Sequence, residues 1–510
     1  MVKVFTTEAV RAADQYTVEH EPISSINLMK RAATRAYDAI WNQLLDKNEP
    51  HHFNIFCGMG NNGGDGLVMA AKFVEAGIPV EVYMLKLSET YTEDCKKNLE
   101  RYKTLGSTLY LLTKENHNFE LKEDSIVIDA IFGSGLNRPI EGFTATVIQK
   151  INASSNFKIA IDIPSGLFAE DNSNNDFSNV IKANYTLSFQ FPKLTFFFPE
   201  SADYVGFWKI IDIGLHAEFI KSTTPIAYYL QASDYKAMLP KRAMFSHKGS
   251  YGHALLLAGS KGKIGASVLA AKACLRSGVG LLTVQSPKVG YAILQSSVPE
   301  AMVEVDEEED FLSTFKMDLS FSAMGIGPGI GQAEETQNLL KLIIQSSNQP
   351  MVIDADAINI LATNRTWLSF LPKNSILTPH PGEFKRLVGS WENDFERLQL
   401  LKEFAVRHGL HIVLKGRYTT IATSDGKLFF NPSGNSGMAT GGSGDVLTGI
   451  IISFLAQAIA PQEAAILGVF VHGLAGDFAA KEKGKRSMLP SDIIDCLGNA
   501  FHAIESGEFI

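Results

Sequence analysis

Residues 431–449, NPSGNSGMATGGSGDVLTG, decide how this chain folds in its second half. Leu428, Phe429 and Phe430 read as a strand running into a glycine-rich loop. The loop ends in Gly441-Gly442-Ser443-Gly444-Asp445, and an apolar helix is expected from about Val446. Successive backbone N–H groups in such a loop converge on one point, and the helix N-terminus adds positive potential there. That is an anion hole suited to a phosphoryl group in transfer. Asp445 sits at its lip, where a carboxylate can take a proton from a hydroxyl. Its bland alternative is an Asp that caps a helix after a flexible loop.

The flanking sequence supplies more strand-end loops. FSHKGSYGHALLLAGSKGKIGASVLAAKACLRSGVGLLTV, from 245, gives a strand, a Gly/Ser/Lys loop opening a helix at Gly265-Ala266, and a second strand. AMGIGPGIG (323–331) is another glycine loop, and PMVIDADAIN (350–359) a buried strand ending in Asp354 and Asp356. In SILTPHPGEFKRL (375–387) His380 lies between two prolines, which fix the turn. HIVLKGRYTTIAT (411–423) reads as a hairpin with Lys415-Gly416-Arg417 at its tip, basic enough for nucleotide phosphates. Five strand-end loops converging on Asp445 make the layout of a ribokinase-like α/β fold.

The first half repeats a strand–loop–helix unit. Residues 8–45 carry apolar positions at helical spacing and read as two packing helices. HHFNIFCG (51–58) then enters Met59-Gly60-Asn61-Asn62-Gly63-Gly64-Asp65-Gly66, and a helix is expected over LVMAAKFVEAG. Strand, Gly/Asn turn and helix form a phosphate-cradling arrangement, although an inert tight turn has the same outline. SIVIDAIF (125–132) ends in Asp129 and opens into Gly133–Pro139, and KIAIDIPSGL (158–167) carries Asp162 and Ser165. Alternating strands and helices give a parallel, Rossmann-like sheet whose carboxyl edge binds ligands. Asn62, Asp129 and Ser165 fall on that edge, and hard oxygens with a single carboxylate suit a weakly charged cation. Asp162 is the better acid/base candidate, with loop capping as the alternative for both aspartates. Lys193 could reach the site but reads first as a surface lysine. The division between the two three-layer α/β/α domains falls near 220–230, giving domains 1–220 and 230–510.

A 510-residue chain fits two domains, and its net charge of −9 provides no general field for nucleic acid or membrane. Four dispersed cysteines fit a reducing compartment and no zinc site. The N-terminus has no apolar core of a signal peptide, and the apolar runs 446–459 and 464–475 are too short and broken to span a bilayer. A soluble, cytoplasmic protein is expected.

The stretches around GNNGGDG, IDAIFGSG and IDIPSG together resemble the NAD(P)H-hydrate epimerase family over about residues 1–220. The resemblance implies potassium bound by Asn62, Asp129 and Ser165. It implies the hydrated nicotinamide nucleotide held by Asn61, Asn62, Gly63, Gly64 and Asp65, by Gly133, Ser134, Gly135, Leu136, Asn137, Arg138 and Pro139, and by Asp162. Lys30 and Ala33 stand where that family usually has an acidic residue and a glycine, which bears on assembly; a homo-oligomer is expected. GxGPGxG, IDADAxN, TPHPGE, LKGR and NxSGNxGMATGGSGDVLTG are similar to the ADP/ATP-dependent NAD(P)H-hydrate dehydratase family, over about 230–505. Here Ala266, Gly327, His380 and Asp445 would face the hydrate. Lys415, Gly416, Arg417, Tyr418, Thr419 and Gly444 would face the adenine nucleotide, ADP or ATP, with Mg2+. Lys263-Ile264 replaces an aromatic often found before the Gly-Ala and bears on fit alone. Together the two resemblances imply repair of NAD(P)H hydrate: epimerisation of R and S forms, then nucleotide-driven dehydration of S. Two other readings stay open: a vitamin or sugar kinase in the second half, since GxGD serves kinases equally, and a non-catalytic binding module in the first.

Overall fold

The computed structural model describes residues 1–46, 51–315 and 321–509. The chain forms two compact units, Val2–Ala227 with Glu392–Phe395, and Tyr228–Trp391 with Glu396–Ile510.

The first unit is built on seven parallel strands in the order Thr108–Leu112, Val80–Leu85, Phe53–Cys57, Ile126–Ala130, Lys158–Ile161, Tyr185–Phe189, Phe207–Ile211. Its central strands are buried along their whole length because helices cover both faces. The order reverses between Phe53–Cys57 and Ile126–Ala130, so the loops after these two strands diverge and leave a crevice. The helix after the first of them begins at Asn61, six residues earlier than its apolar pattern suggests. The Gly/Asn run is thus the helix's own first turn. Its glycines allow close approach: a Cβ on Gly63 would lie 1.9 Å from the Gly58 carbonyl oxygen.

In the second unit the sheet runs from Leu428–Phe430 through Thr420–Ala422, His411–Leu414, Ile376–Leu377, Met351–Ile353, Ala323–Ile326 and His253–Leu257 to Leu281–Ser286 and Met302–Val305. All neighbours are parallel from His411–Leu414 onward, and the Thr420–Ala422 strand is antiparallel to both of its neighbours. Helix Ser443–Ala456 is apolar nearly all round and buried, as a core helix must be. It packs against Ile264–Arg276 so closely that a Cβ on Gly449 would meet the Ala270 carbonyl oxygen at 2.1 Å. This helix starts at Ser443 rather than Val446, since Gly442, at φ 97°, turns the chain directly into it. The apolar run after it belongs to one longer helix, Pro461–Lys483, which is long and apolar enough to cross a membrane but is 78% buried inside this unit.

Candidate active sites

In the first unit the crevice is a cavity of about 940 Å³. The sequence candidates Asn61, Asn62, Asp65, Gly133–Leu136 and Asp162 line it, joined by Asp14 of helix Thr7–His20. Gly63 and Gly64 support it from behind, against Gly58 and Met29. Asn137, Arg138 and Pro139 follow the lining residues but are not part of the wall.

Asp162 holds a φ of 67°, a left-handed conformation costing a non-glycine residue about 1–2 kcal/mol. Its Oδ2 accepts the Ser134 N–H at 3.0 Å, and its Oδ1 pairs with the Lys193 ammonium at 2.6 Å. Lys193 is therefore no surface lysine. Its side chain is 3% exposed and donates also to Ser188 Oγ at 3.1 Å and the Phe191 carbonyl at 3.3 Å. Pro192 and the turn Leu194–Phe197 fold that segment under the sheet edge, which the local sequence does not signal. Burial by itself would raise the Asp162 pKa, but Lys193 and Ser134 together outweigh it and hold the carboxyl below its usual range. Two neighbours move the other way. Burial, reinforced by the charge of Asp162, lifts Asp14 to about 6 and Asp65 well above the ordinary aspartate value. The cavity thus holds a carboxylate kept ionised beside two carboxyls whose hold on their protons is strengthened.

Asp129 and Ser165 meet on the same edge: Ser165 Oγ donates to Asp129 Oδ1 at 2.5 Å, and the Ser165 N–H to Oδ2 at 2.7 Å. Burial raises Asp129 to about 6 despite these bonds. The Asn62 amide nitrogen, also buried, has no hydrogen-bond partner. The Asp129 carboxylate, the Ser165 hydroxyl and the Asn62 amide oxygen are hard oxygens with one carboxylate among them, which suits a monovalent cation better than zinc, and no cluster of three His, Cys, Asp or Glu exists among the described residues.

In the second unit Asp445 lies in the first turn of helix Ser443–Ala456. The N–H groups of Ser443 and Val446 are taken by the Thr440 and Gly442 carbonyls at 3.4 and 3.2 Å. Those of Gly444 and Asp445, in the helix's first turn, have no backbone acceptor among the described residues. Lys415 reaches this turn: a Cβ on Gly444 would lie 3.3 Å from its Nζ. The lysine is held by Asp354 Oδ1 at 3.1 Å, while Asp354 Oδ2 accepts the Thr448 hydroxyl at 2.7 Å. Burial and the charge of Asp354 push Asp445 to about 7, with Lys415 pulling the other way. That value suits a general base at neutral pH. His472, from the buried helix, contacts Ser443 Oγ at 3.2 Å and is lowered to about 4 by burial and Lys415, so it stays neutral. Neither His472 nor Asp14 has a motif around it: Asp14 is one of several polar residues of helix Thr7–His20, and His472 interrupts the apolar stretch of helix Pro461–Lys483.

The remaining candidates lie on other loops and helix starts of the same unit. His380 caps helix Pro381–Val388: its Nδ1 accepts the Gly382 N–H at 2.9 Å, and its Nε2 lies 3.6 Å from Glu383 Oε1 on a half-exposed side chain. Gly327, at φ 135°, packs so tightly that a Cβ would meet the Asp354 carbonyl oxygen at 1.9 Å. Ala266 lies in helix Ile264–Arg276, its Cβ near Gly329. Gly416, Arg417, Tyr418 and Thr419 form the loop between two antiparallel strands, and Arg417 donates to the Gly434 carbonyl at 2.8 Å.

Comparison with known proteins gives a family for each half of the chain. A family model described as NAD(P)H-hydrate dehydratase matches residues 254–499, and one described as YjeF-related protein N-terminus matches residues 25–195. The chain is 37% identical to the bifunctional NAD(P)H-hydrate repair enzyme Nnr of Moorella thermoacetica, covering 95% of this chain and 93% of that one. It is 31% identical to the protein of the same name from Escherichia coli, covering 97% and 93%. Among solved structures, the ADP/ATP-dependent NAD(P)H-hydrate dehydratase of Bacillus subtilis, co-crystallized with ATP/Mg2+, is 31% identical with a TM-score of 0.48, over 55% of this chain and 99% of its own. With near-complete coverage in both directions, the kinase and binding-module readings give way: the chain belongs to the family of bifunctional NAD(P)H-hydrate repair enzymes.

Proposed function

We propose that the second unit dehydrates the S epimer of NAD(P)H hydrate with ADP as phosphoryl donor, giving AMP and phosphate, and that the first unit interconverts R and S. Reduced nicotinamide gains water across C5–C6, leaving a hydroxyl on C6 that departs poorly as hydroxide. Asp445 takes the proton of that hydroxyl as its oxygen attacks the terminal phosphorus. The N–H groups of Gly444 and Asp445, with Lys415, stabilise the transferring charge. Phosphate then leaves C6, a proton is lost from C5, and the double bond returns. The observation carrying this reading is an Asp445 carboxyl tuned to about 7 in the turn that Lys415 reaches.

Mg2+ would ride chiefly on the nucleotide phosphates, where it offsets their charge. The nearby carboxylates are already engaged, Asp354 by Lys415 and Thr448, and Asp356 by Lys263 at 3.0 Å. Lys415, Gly416, Arg417, Tyr418 and Thr419 would flank the nucleotide, and Ala266, Gly327 and His380 the hydrate. In the first unit Asp162 is the base acting on the C6 hydroxyl, while Asn62, Asp129 and Ser165 would hold K+, which supplies a fixed positive charge beside the substrate.

Incubating the chain with NADH hydrate, Mg2+ and either ADP or ATP tests the donor. Expected is one AMP and one phosphate per NADH restored from ADP, and neither in Asp445→Asn. Restoration by Asp445→Asn at the wild-type rate would remove Asp445 from the role of base.

A further inference from the structure

Opening and reclosing a hemiaminal such as C6(OH)–N1 needs an acid as well as a base, and the first-unit cavity holds a carboxyl placed for it. Asp65 stands in the first turns of helix Asn61–Glu75 and faces the same cavity as Asp162. It is 8% exposed, and its Oδ1 is buried with no hydrogen-bond partner. A buried carboxylate in this family of contacts would be satisfied, as Asp129 is by Ser165 and Asp162 is by Lys193 and Ser134. Among the described residues, Asp65 receives no cation and no N–H. An unsatisfied buried carboxylate is costly, whereas a neutral carboxyl carries its own donor and can wait for a partner brought by a ligand.

We propose that Asp65 is the general acid that works opposite Asp162 in the epimerisation. This inference rests on the epimerase reading of the first unit and deepens it. Asp162 takes the proton of the C6 hydroxyl, and the C6–O bond gains double-bond character. The C6–N1 bond breaks with its electron pair going to N1, and Asp65 delivers its proton there. The product is an open-chain C6 aldehyde with an N1–H conjugated to C2–C3. Rotation about C5–C6 presents the other face of the carbonyl. N1 then attacks, returning its proton to Asp65, while the oxygen recovers its proton from Asp162. No oxidant, reductant or co-substrate is consumed. The opposed protonation of the two carboxyls follows from their surroundings: Asp162 is paired with Lys193, whereas among the described residues Asp65 interacts with the charges of Asp162 and Asp14 and lies near the thiols of Cys57 and Cys95.

The test uses the full chain, because dehydration by the second unit serves as an internal control. A mixture of R and S NADH hydrate with ADP and Mg2+ is followed as NADH returns, first from the S fraction and then from R as it epimerises. In Asp65→Asn the S phase is expected at the wild-type rate, and the R phase should fall by about 10²–10⁴-fold, limited by the uncatalysed rate. Asp65→Glu, which restores an acid, should recover part of the R phase. In the wild type the R phase should decline at alkaline pH as the acid is lost. With no nucleotide present, a heavy-oxygen label at C6 should survive R-to-S conversion. An R phase in Asp65→Asn within threefold of wild type overturns the proposal, as does Asp65→Glu no faster than Asp65→Asn, or loss of the label at each conversion. Absence of any R phase in the wild type would instead refute the epimerase reading on which the proposal stands.

Discussion

Replacing Lys193 by Met removes one partner of a buried ion pair and leaves the other. The stem of the new side chain fills the same space, but Asp162 loses the contact at 2.6 Å, and Ser188 Oγ and the Phe191 carbonyl lose a donor. With side-chain exposures of 3% and 13%, water repairs little of this. Breaking a buried pair from one side costs about 3–5 kcal/mol. For a unit the size of Val2–Ala227, that lowers its unfolding midpoint by roughly 6–20 °C. The pH dependence follows from the sign of the shift. In the wild type the folded Asp162 pKa is depressed, so its contribution is present above the ordinary aspartate value of 3.8 and lost as pH falls below it. The deficit of Lys193→Met is therefore full at neutral pH and closes only as pH falls below the ordinary aspartate value and on through the depressed folded one, where Asp162 is protonated in every state. Calorimetry across pH reads both effects, and epimerisation should fall with the loss of an ionised Asp162. Adding Asp162→Asn should restore most of the stability but none of the activity. A Lys193→Met chain with wild-type melting at neutral pH would refute this account of how Asp162 is kept charged.

Four further outcomes are expected. Dehydration should lose about tenfold per pH unit below about 7 as Asp445 takes up its proton; a profile flat from 5 to 8 with saturating nucleotide would remove Asp445 as base. The same raised pKa means that the folded chain holds a proton the unfolded chain has released between about 4 and 7, so the second unit loses stability as pH rises through that window, and Asp445→Asn should flatten the loss. Gly327→Ala must place a Cβ against the Asp354 carbonyl oxygen at φ 135°, costing at least about 2 kcal/mol and roughly 4–8 °C of the second unit's midpoint; an unchanged melt would contradict that packing. Exchanging potassium for lithium should slow only the R phase of NADH recovery, and equal slowing of both phases would deny the cation a place at Asn62, Asp129 and Ser165.

Much of this was legible because phosphate-binding and strand-edge chemistry is local. Gly441–Asp445 and Asn61–Gly66 announce their turns through composition, and the strands ending in Asp129, Asp162 and Asp354 are apolar runs closed by one carboxylate. Helix starts were misread by several residues in both loops, since glycine and asparagine lower helix propensity while the first turn tolerates them. What contact alone decides was not legible. Lys193 looks solvated until the fold brings it beneath Asp162, and Asp14 reaches the cavity from a helix separated from it by some fifty residues of sequence or more. His472 meets Ser443 only because two core helices pack together. The aspartates share one residue type, and it is their unlike neighbours that set their unlike protonation.

The account's central claim is that one chain carries two separable activities on one damaged metabolite. Its most direct test is NADH recovery from a mixture of R and S hydrate, with ADP and Mg2+, in wild type, Asp162→Asn and Asp445→Asn. Full recovery in wild type, an arrest after the S fraction in Asp162→Asn apart from the slow uncatalysed interconversion, and none in Asp445→Asn is the predicted result. Full, fast recovery by Asp162→Asn, or recovery by Asp445→Asn, would contradict it.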